Sequence, residues 1–263
     1  EGSATPIARA SAKCWSSKWQ RIKAAFIKAT GEMPHPGMKV LLSVSANFHE
    51  AYGFSWIVDD IDPSYTLGDM ARKRLAIINE LKAQGVFDMQ RQLSLPMFAM
   101  RIAVISSANA AGYGDFCNQL ADNEYGFKFR TQLFPAIMQG EQVEASVIEA
   151  LNKINDEADS FDVVVIIRGG GATADLSGFD TLRLAENVAN FPLPIITGIG
   201  HERDESVLDL VAHHNVKTPT AAAAFLIDHL ALVANYLDQA SQRISNIITY
   251  RLQTERMRTQ RLA

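Results

Sequence analysis

At 263 residues the chain has room for one or two domains and a sizeable core. Hydrophobic residues at 48% and charged residues at 21% exclude a disordered chain, while 16 glycines and 9 prolines are too few for a collagen-like or low-complexity polymer. The net charge of −4 lacks the basic excess that marks many nucleic-acid binders, but affinity follows local patches and not the sum.

Two cysteines, Cys14 and Cys117, cannot staple a chain of this length, which points to a reducing compartment. The longest apolar runs, residues 163–167 and 221–227, fall short of the ~20 residues of a membrane span. Residues 1–12 lack the apolar core of a secretory signal. The expectation is a cytoplasmic protein with no membrane contact.

In chain order, residues 19–30 read as a helix, and residues 38–44 and 52–58 as short strands joined through Asn47-Phe48-His49-Glu50. Two or three such strands make only part of a β domain. Asp69 is expected to cap a helix over residues 70–84, with Leu75, Ile78 and Leu81 on one face and Gly85 as its stop. Beyond Leu95-Pro96 the pattern alternates. Strands are expected at 101–106, 128–134, 162–167 and 194–198, and helices at 115–123, 142–155, 181–190 and 206–212. The run Asp-Val-Val-Val-Ile-Ile from Asp162 is apolar on both faces, as covered parallel strands are. The fold class is therefore α/β, an open and mostly parallel sheet with helices on both faces.

From Thr220 the chain is helical without an evident stop. Leu226, Leu230, Val233, Leu237, Ala240, Ile244 and Ile247 follow the 4-3 spacing of a coiled-coil seam. A helix packed on its own domain satisfies the same pattern. The last 25 residues, 239–263, carry five arginines against the single acid Glu255.

Open α/β sheets bind ligands beyond the carboxyl ends of their strands, and three polar segments fall there. The first, residues 106–115, places Ser106 and Ser107 between strand and helix, where hydroxyls and backbone amides suit phosphate oxygens. The second, Arg168-Gly169-Gly170-Gly171 through Asp175, joins a planar charged fork to amides that can form an anion nest. The third, Gly198 to Glu205, holds His201, which can transfer protons near neutral pH. Asp204 and Asp209 follow at distances that allow either to orient that imidazole or to join it as a metal ligand. Neither glycine loop has the Gly-x-Gly-x-x-Gly form of a dinucleotide site.

In order, these segments and Thr218-Pro219-Thr220-Ala221-Ala222-Ala223 resemble the large subunit of bacterial exodeoxyribonuclease VII. Upstream, residues 59–69 (Asp-Asp-Ile-Asp-Pro-Ser-Tyr-Thr-Leu-Gly-Asp) match that family's junction between an OB-fold and a catalytic domain. The resemblance implies a catalytic set of His201, Asp204, Asp115 and Arg168, with Asp209 as a further acid. It also implies substrate contacts at Ser106, Ser107, Gly169, Gly170, Gly171, Asp175 and Thr218. The chain departs from the family pattern at Ala110, Ala172, Ala174, Asn215 and Ala224.

The implied activity is hydrolysis of single-stranded DNA from either end to short oligonucleotides. No cofactor is required, metal ligands are not expected, and Mg²⁺ is at most a stimulant. The implied partners are single-stranded DNA and several copies of a small subunit. The implied layout is a partial OB-fold over 1–66, a linker helix over 67–98, a catalytic domain over 99–220 and the start of a coiled coil over 221–263. Two other readings of the residues stand beside it: a non-catalytic single-stranded-DNA-binding module using Phe48, Tyr52, Phe54 and Trp56, and a mononucleotide-binding α/β enzyme.

Overall fold

The computed structural model describes residues 10–31, 33–50, 53–169, 176–200 and 205–262. The N-terminal part holds β1 (Ala12–Lys13), α1 (Ser16–Thr30), β2 (Leu41–His49) and β3 (Gly53–Asp62). Their sheet has the order β1-β3-β2, with β1 parallel and β2 antiparallel to β3. The expected connection through Asn47, Phe48 and His49 is instead strand, since pairing continues through Phe48↔Phe54 to His49↔Gly53. An aromatic pair directly across two strands favours that extension over the weak local signal of Asn and His. A small core of Ile22, Phe26, Val58 and Ile61 joins α1 to the sheet.

The linker helix α2 (Pro63–Ala83) starts about two turns earlier than the sequence suggests. Its cap is Asp62 and not Asp69: the Asp62 carboxylate accepts from the Ser64 backbone N–H at 2.9 Å, and Pro63 occupies the first helical position. Asp69 lies inside the helix, buried and paired with Arg72 and Lys73. Leu81 is fully buried as expected, whereas Leu75 is 57% exposed. The short helix α3 (Met89–Gln92) then ties α2 to the sheet. The buried Gln90 side chain donates to Phe191 O and accepts from Ile195 N.

The second sheet contains β4 (Arg101–Ser106), β5 (Arg130–Pro135), β6 (Val163–Ile167), β7 (Ile195–Gly198) and β8 (His214–Asn215). All pairings are parallel, in the order β5-β4-β6-β7-β8. The helices are α4 (Ala111–Ala121), α5 (Val143–Asp156), α6 (Leu182–Ala189), α7 (Val207–Val211) and α8 (Pro219–Leu262). Alternation along β4 and β6 explains the two layers. Ala103, Ile105, Val164 and Ile166 pack toward α5, α6 and α7, while Ile102, Val104, Val163, Val165 and Ile167 pack toward α4 and α8. The fifth strand was not expected, because two polar edge residues carry no alternating pattern; β8 is held by pairing with Ile196 and Thr197 and by His214 stacked on Phe225.

At the amino end of the sheet, Asp162 fastens two neighbouring strands. Its carboxylate accepts from Met100 N (3.0 Å), Arg101 N (2.7 Å) and the Arg101 guanidinium (2.6 and 3.0 Å). Burial pushes this carboxyl up, but the hydrogen bonds from Arg101 and the backbone outweigh it and hold it below its ordinary value. A group with a depressed folded pKa adds stability above the ordinary carboxylate range and loses it as pH falls through the lowered value. Asp162→Asn should therefore lower the melting temperature at about pH 7 and converge with wild type near about pH 2. Parallel melting curves across that range check the sign.

Helix α8 packs its first turns on the sheet through Ala222, Ala223, Leu226 and Ile227. Along the anticipated seam Leu226 and Leu230 are buried, but Leu237, Ile244 and Ile247 are 46%, 59% and 64% exposed. By length and composition α8 is also apolar enough to cross a membrane, with an 18-residue window of mean hydropathy 1.4, 33% of it buried. The contiguous runs miss this because the apolar character is spread along an alanine-rich sequence.

Candidate active site

The chain passes from β4 out to β5 and back across β4 to β6, so consecutive connections diverge between β4 and β6. That switch point opens a crevice at the carboxyl ends of the two strands. Ser106 is the last residue of β4 and Arg168 the first after β6.

Ser106 is fully buried, and among the described residues its hydroxyl has no hydrogen-bond partner. Strand alternation puts it on the face shared by Ile102 and Val104, where α4 begins. Ser107 is half-buried, and its carbonyl accepts from Ala110 N in a tight turn. Helix α4 has no side-chain cap at Ala110 and Tyr113 N–H donates to Ala110 O at 3.1 Å, which leaves the Ala111 and Gly112 amides at the helix start beside the crevice. Because α4 starts at Ala111, Asp115 sits inside the helix, exposed, and not at the end of a long loop.

Arg168 is only 4% exposed. It is a fixed interior group, which excludes a surface arginine on a flexible turn. Gly169 is described; Gly170, Gly171, Asp175, His201 and Asp204 lie outside the described residues.

Glycine 112 shows how tightly the segments meet. A Cβ there would lie 2.9 Å from Pro219 Cγ, 3.1 Å from Gly169 Cα and 3.2 Å from Arg168 O. One missing side chain thus lets the β4 loop, the β6 loop and the root of α8 touch. On the other side, a Cβ on Gly198 would meet Thr218 O at 3.1 Å, and Gly200, at φ +79°, approaches Lys217 O. Gly112→Val should cost about 2–3 kcal/mol by overpacking, since two of its three nearest neighbours are backbone atoms. Urea denaturation measures this, and an unchanged midpoint would show that the segments part freely.

The two remaining expected residues have structural duties. Thr218 is exposed, and its hydroxyl accepts from Ala221 N at 3.1 Å, capping α8 ahead of Pro219. Asp209 completes a capping box: its Oδ2 accepts from Ser206 N (3.0 Å) and Ser206 Oγ (2.7 Å), while Oδ1 accepts from Thr197 Oγ1 (2.6 Å). Its carboxylate is therefore committed to holding the chain just after residues 201–204. Ser206-x-x-Asp209 is legible as a capping signature in the sequence.

Asp180 was not anticipated. It pairs with Arg74 of α2 and accepts from Val207 N at 2.7 Å. Burial pushes its carboxyl above the ordinary range, against the pull of Val207 N–H and Arg74. One carboxylate thus joins the linker helix, the segment after β6 and the start of α7. Nothing local in the sequence announces it, because its partners are distant in the chain.

Comparison with known proteins bears on these same segments. Residues 86–263 match the family described as exonuclease VII, large subunit. The chain belongs to the exonuclease VII large-subunit family.

Curated relatives bear the name exodeoxyribonuclease 7 large subunit. One from Deinococcus radiodurans is 38% identical over 89% of this chain and 58% of its own length. Another from a Nostoc species is 33% identical over 98% of the chain and 62% of its own. A third, from Lacticaseibacillus casei, is 34% identical over 86% and 50% respectively. The chain thus spans between half and two thirds of the length of these relatives. The family match includes β4, β6, β7 and the root of α8, the elements that meet around Gly112 and Gly198.

Proposed function

We propose that this chain carries the catalytic unit of an exodeoxyribonuclease that hydrolyses phosphodiester bonds of single-stranded DNA, from either end, to short oligonucleotides. The observation that carries the reading is the meeting at one sheet edge of Gly112, Arg168, Gly169, Gly198, Thr218 and Pro219, the described parts of four segments resembling the family's motifs, with Arg168 buried among them. Arg168 would hold the non-bridging phosphate oxygens, with the α4 amides and the Ser106 hydroxyl beside it. His201 would act as general base toward water or general acid toward the leaving oxygen. Asp115 and Asp204 would orient that histidine or hold an optional Mg²⁺. Gly169, Gly170 and Gly171, with Ser107, Asp175 and Thr218, would shape the strand's path.

The N-terminal sheet would contribute binding as an OB-type surface. Phe48 and Phe54 face each other across β2 and β3 at 73% and 57% exposure, so they serve no described core and offer stacking planes for bases. The exposed seam of α8 would extend into a coiled coil that gathers several small subunits. The assembly would work in the cytoplasm, where Cys14 and Cys117 stay as free thiols.

The deciding experiment is cleavage of end-labelled single-stranded DNA by the full-length protein, with and without small subunit, in Mg²⁺ and in excess EDTA. Cleavage that persists in EDTA supports a site built on His201 and Arg168. Loss in EDTA, restored by Mg²⁺, would move Asp115 and Asp204 into the role of ligands. Binding without cleavage under every condition would leave a non-catalytic binding module as the correct reading.

A further inference from the structure

A crevice of about 200 Å³ lies between the N-terminal part and the α/β sheet. Its walls come from residues 35–39, from Asp69, Lys73 and Arg74 of α2, and from Ser177 and Asp180 beyond β6. At that volume it is smaller than the roughly 300–1,000 Å³ of a small-molecule pocket, which suits a phosphate group rather than a whole nucleotide.

Charge decides what it could hold. Both carboxylates in the wall are already engaged: Asp69 by Arg72 (2.8 Å) and Lys73 (3.1 Å), Asp180 by Arg74 and the Val207 N–H. Lys39 forms no ion pair within 4.0 Å among the described residues, its charge acting on Asp69 only from farther off. Its backbone is nevertheless fixed, because its carbonyl accepts from the buried Thr66 hydroxyl at 3.1 Å. The crevice therefore presents a surplus of positive charge on an anchored strand of chain. It also lies where a polymer would need one. Ser177 and Asp180 follow the glycine loop of the catalytic edge, while residues 35–39 lead directly into β2 of the N-terminal sheet.

We propose that this crevice, through Lys39, binds a backbone phosphate of single-stranded DNA as the strand runs between the N-terminal sheet and the catalytic edge. The proposal rests on the nuclease reading above and adds a contact remote from the scissile bond. A remote phosphate contact is sequence-independent, depends on salt, and matters only for strands long enough to reach it.

The test compares Lys39→Ala with wild type in the full-length protein. Lys153→Ala serves as a control, since it removes the same charge on the distant helix α5. Binding of oligothymidylates of about four and about thirty nucleotides is measured by fluorescence anisotropy across salt concentrations. The expected result is roughly fivefold weaker binding of the long strand by Lys39→Ala, with the salt slope reduced by about 0.7, and unchanged binding of the short one. Equal weakening of short and long strands would relocate the contact to the catalytic edge and overturn the proposal. So would a Lys39→Ala protein that matches wild type and Lys153→Ala on the long strand. If wild type binds and cleaves no single-stranded DNA, the nuclease reading itself fails. A long-strand effect absent from Lys39→Ala while wild type cleaves normally sinks only the crevice.

Discussion

His201→Ala is expected to abolish cleavage of single-stranded DNA by the full-length protein, with thermal stability nearly unchanged. A positioned general acid or base contributes about 10²–10⁴-fold in rate, so residual activity above a few per cent of wild type would refute the assignment. The structural reason to expect an intact fold is that the flanks of residues 201–204 are secured by other groups. Gly200 passes close to Lys217 O, Ser206 is locked by the Asp209 box, and Val207 N–H is held by Asp180. None of these anchors involves the imidazole. Activity and melting temperature measured on one preparation separate a chemical role from a structural one.

Arg168→Lys should lower cleavage by roughly an order of magnitude or more. A lysine keeps the charge but presents one point in place of a planar fork, and bidentate contact with a phosphodiester is lost. At 4% exposure the guanidinium has little freedom to be replaced by a group of different shape. If the Lys variant performs like wild type, the residue supplies only generic charge and the clamp is wrong. Steady-state kinetics on a labelled oligonucleotide give the answer directly.

The α/β half was legible from the sequence because its signals are local. Val163–Ile167 reads as a doubly covered strand and is one, and Val143, Val147, Ile148, Leu151 and Ile154 are buried on α5 as their spacing requires. The errors arose where local patterns competed. Asp69 and Asp62 both precede helix-forming residues, and Pro63 gave the cap to Asp62 by fixing the first helical turn. The β4 loop read too long because Ala-Gly-Tyr-Gly is a poor helix former on its own, yet Gly112 is required there by the approach of Gly169. Arg168, Ser106 and Ser107 lie at the strand ends where the pattern places them. The duties of Asp209, Thr218 and Asp180 are not set by that pattern, because they depend on hydrogen bonds that only the folded chain brings about.

Helix α8 begins at the carboxyl edge of the parallel sheet and ends far from it. Pro219 touches Gly112, while residues 232–260 are almost wholly exposed. At about 1.5 Å per residue, the stretch beyond Ala231 reaches roughly 45 Å past the body of the protein. Such a helix is a lever whose fulcrum is its packed root, from Ala222 to Ala231. A load borne near its tip is met first by the packing of Ala222, Leu226 and Ile227 on the sheet.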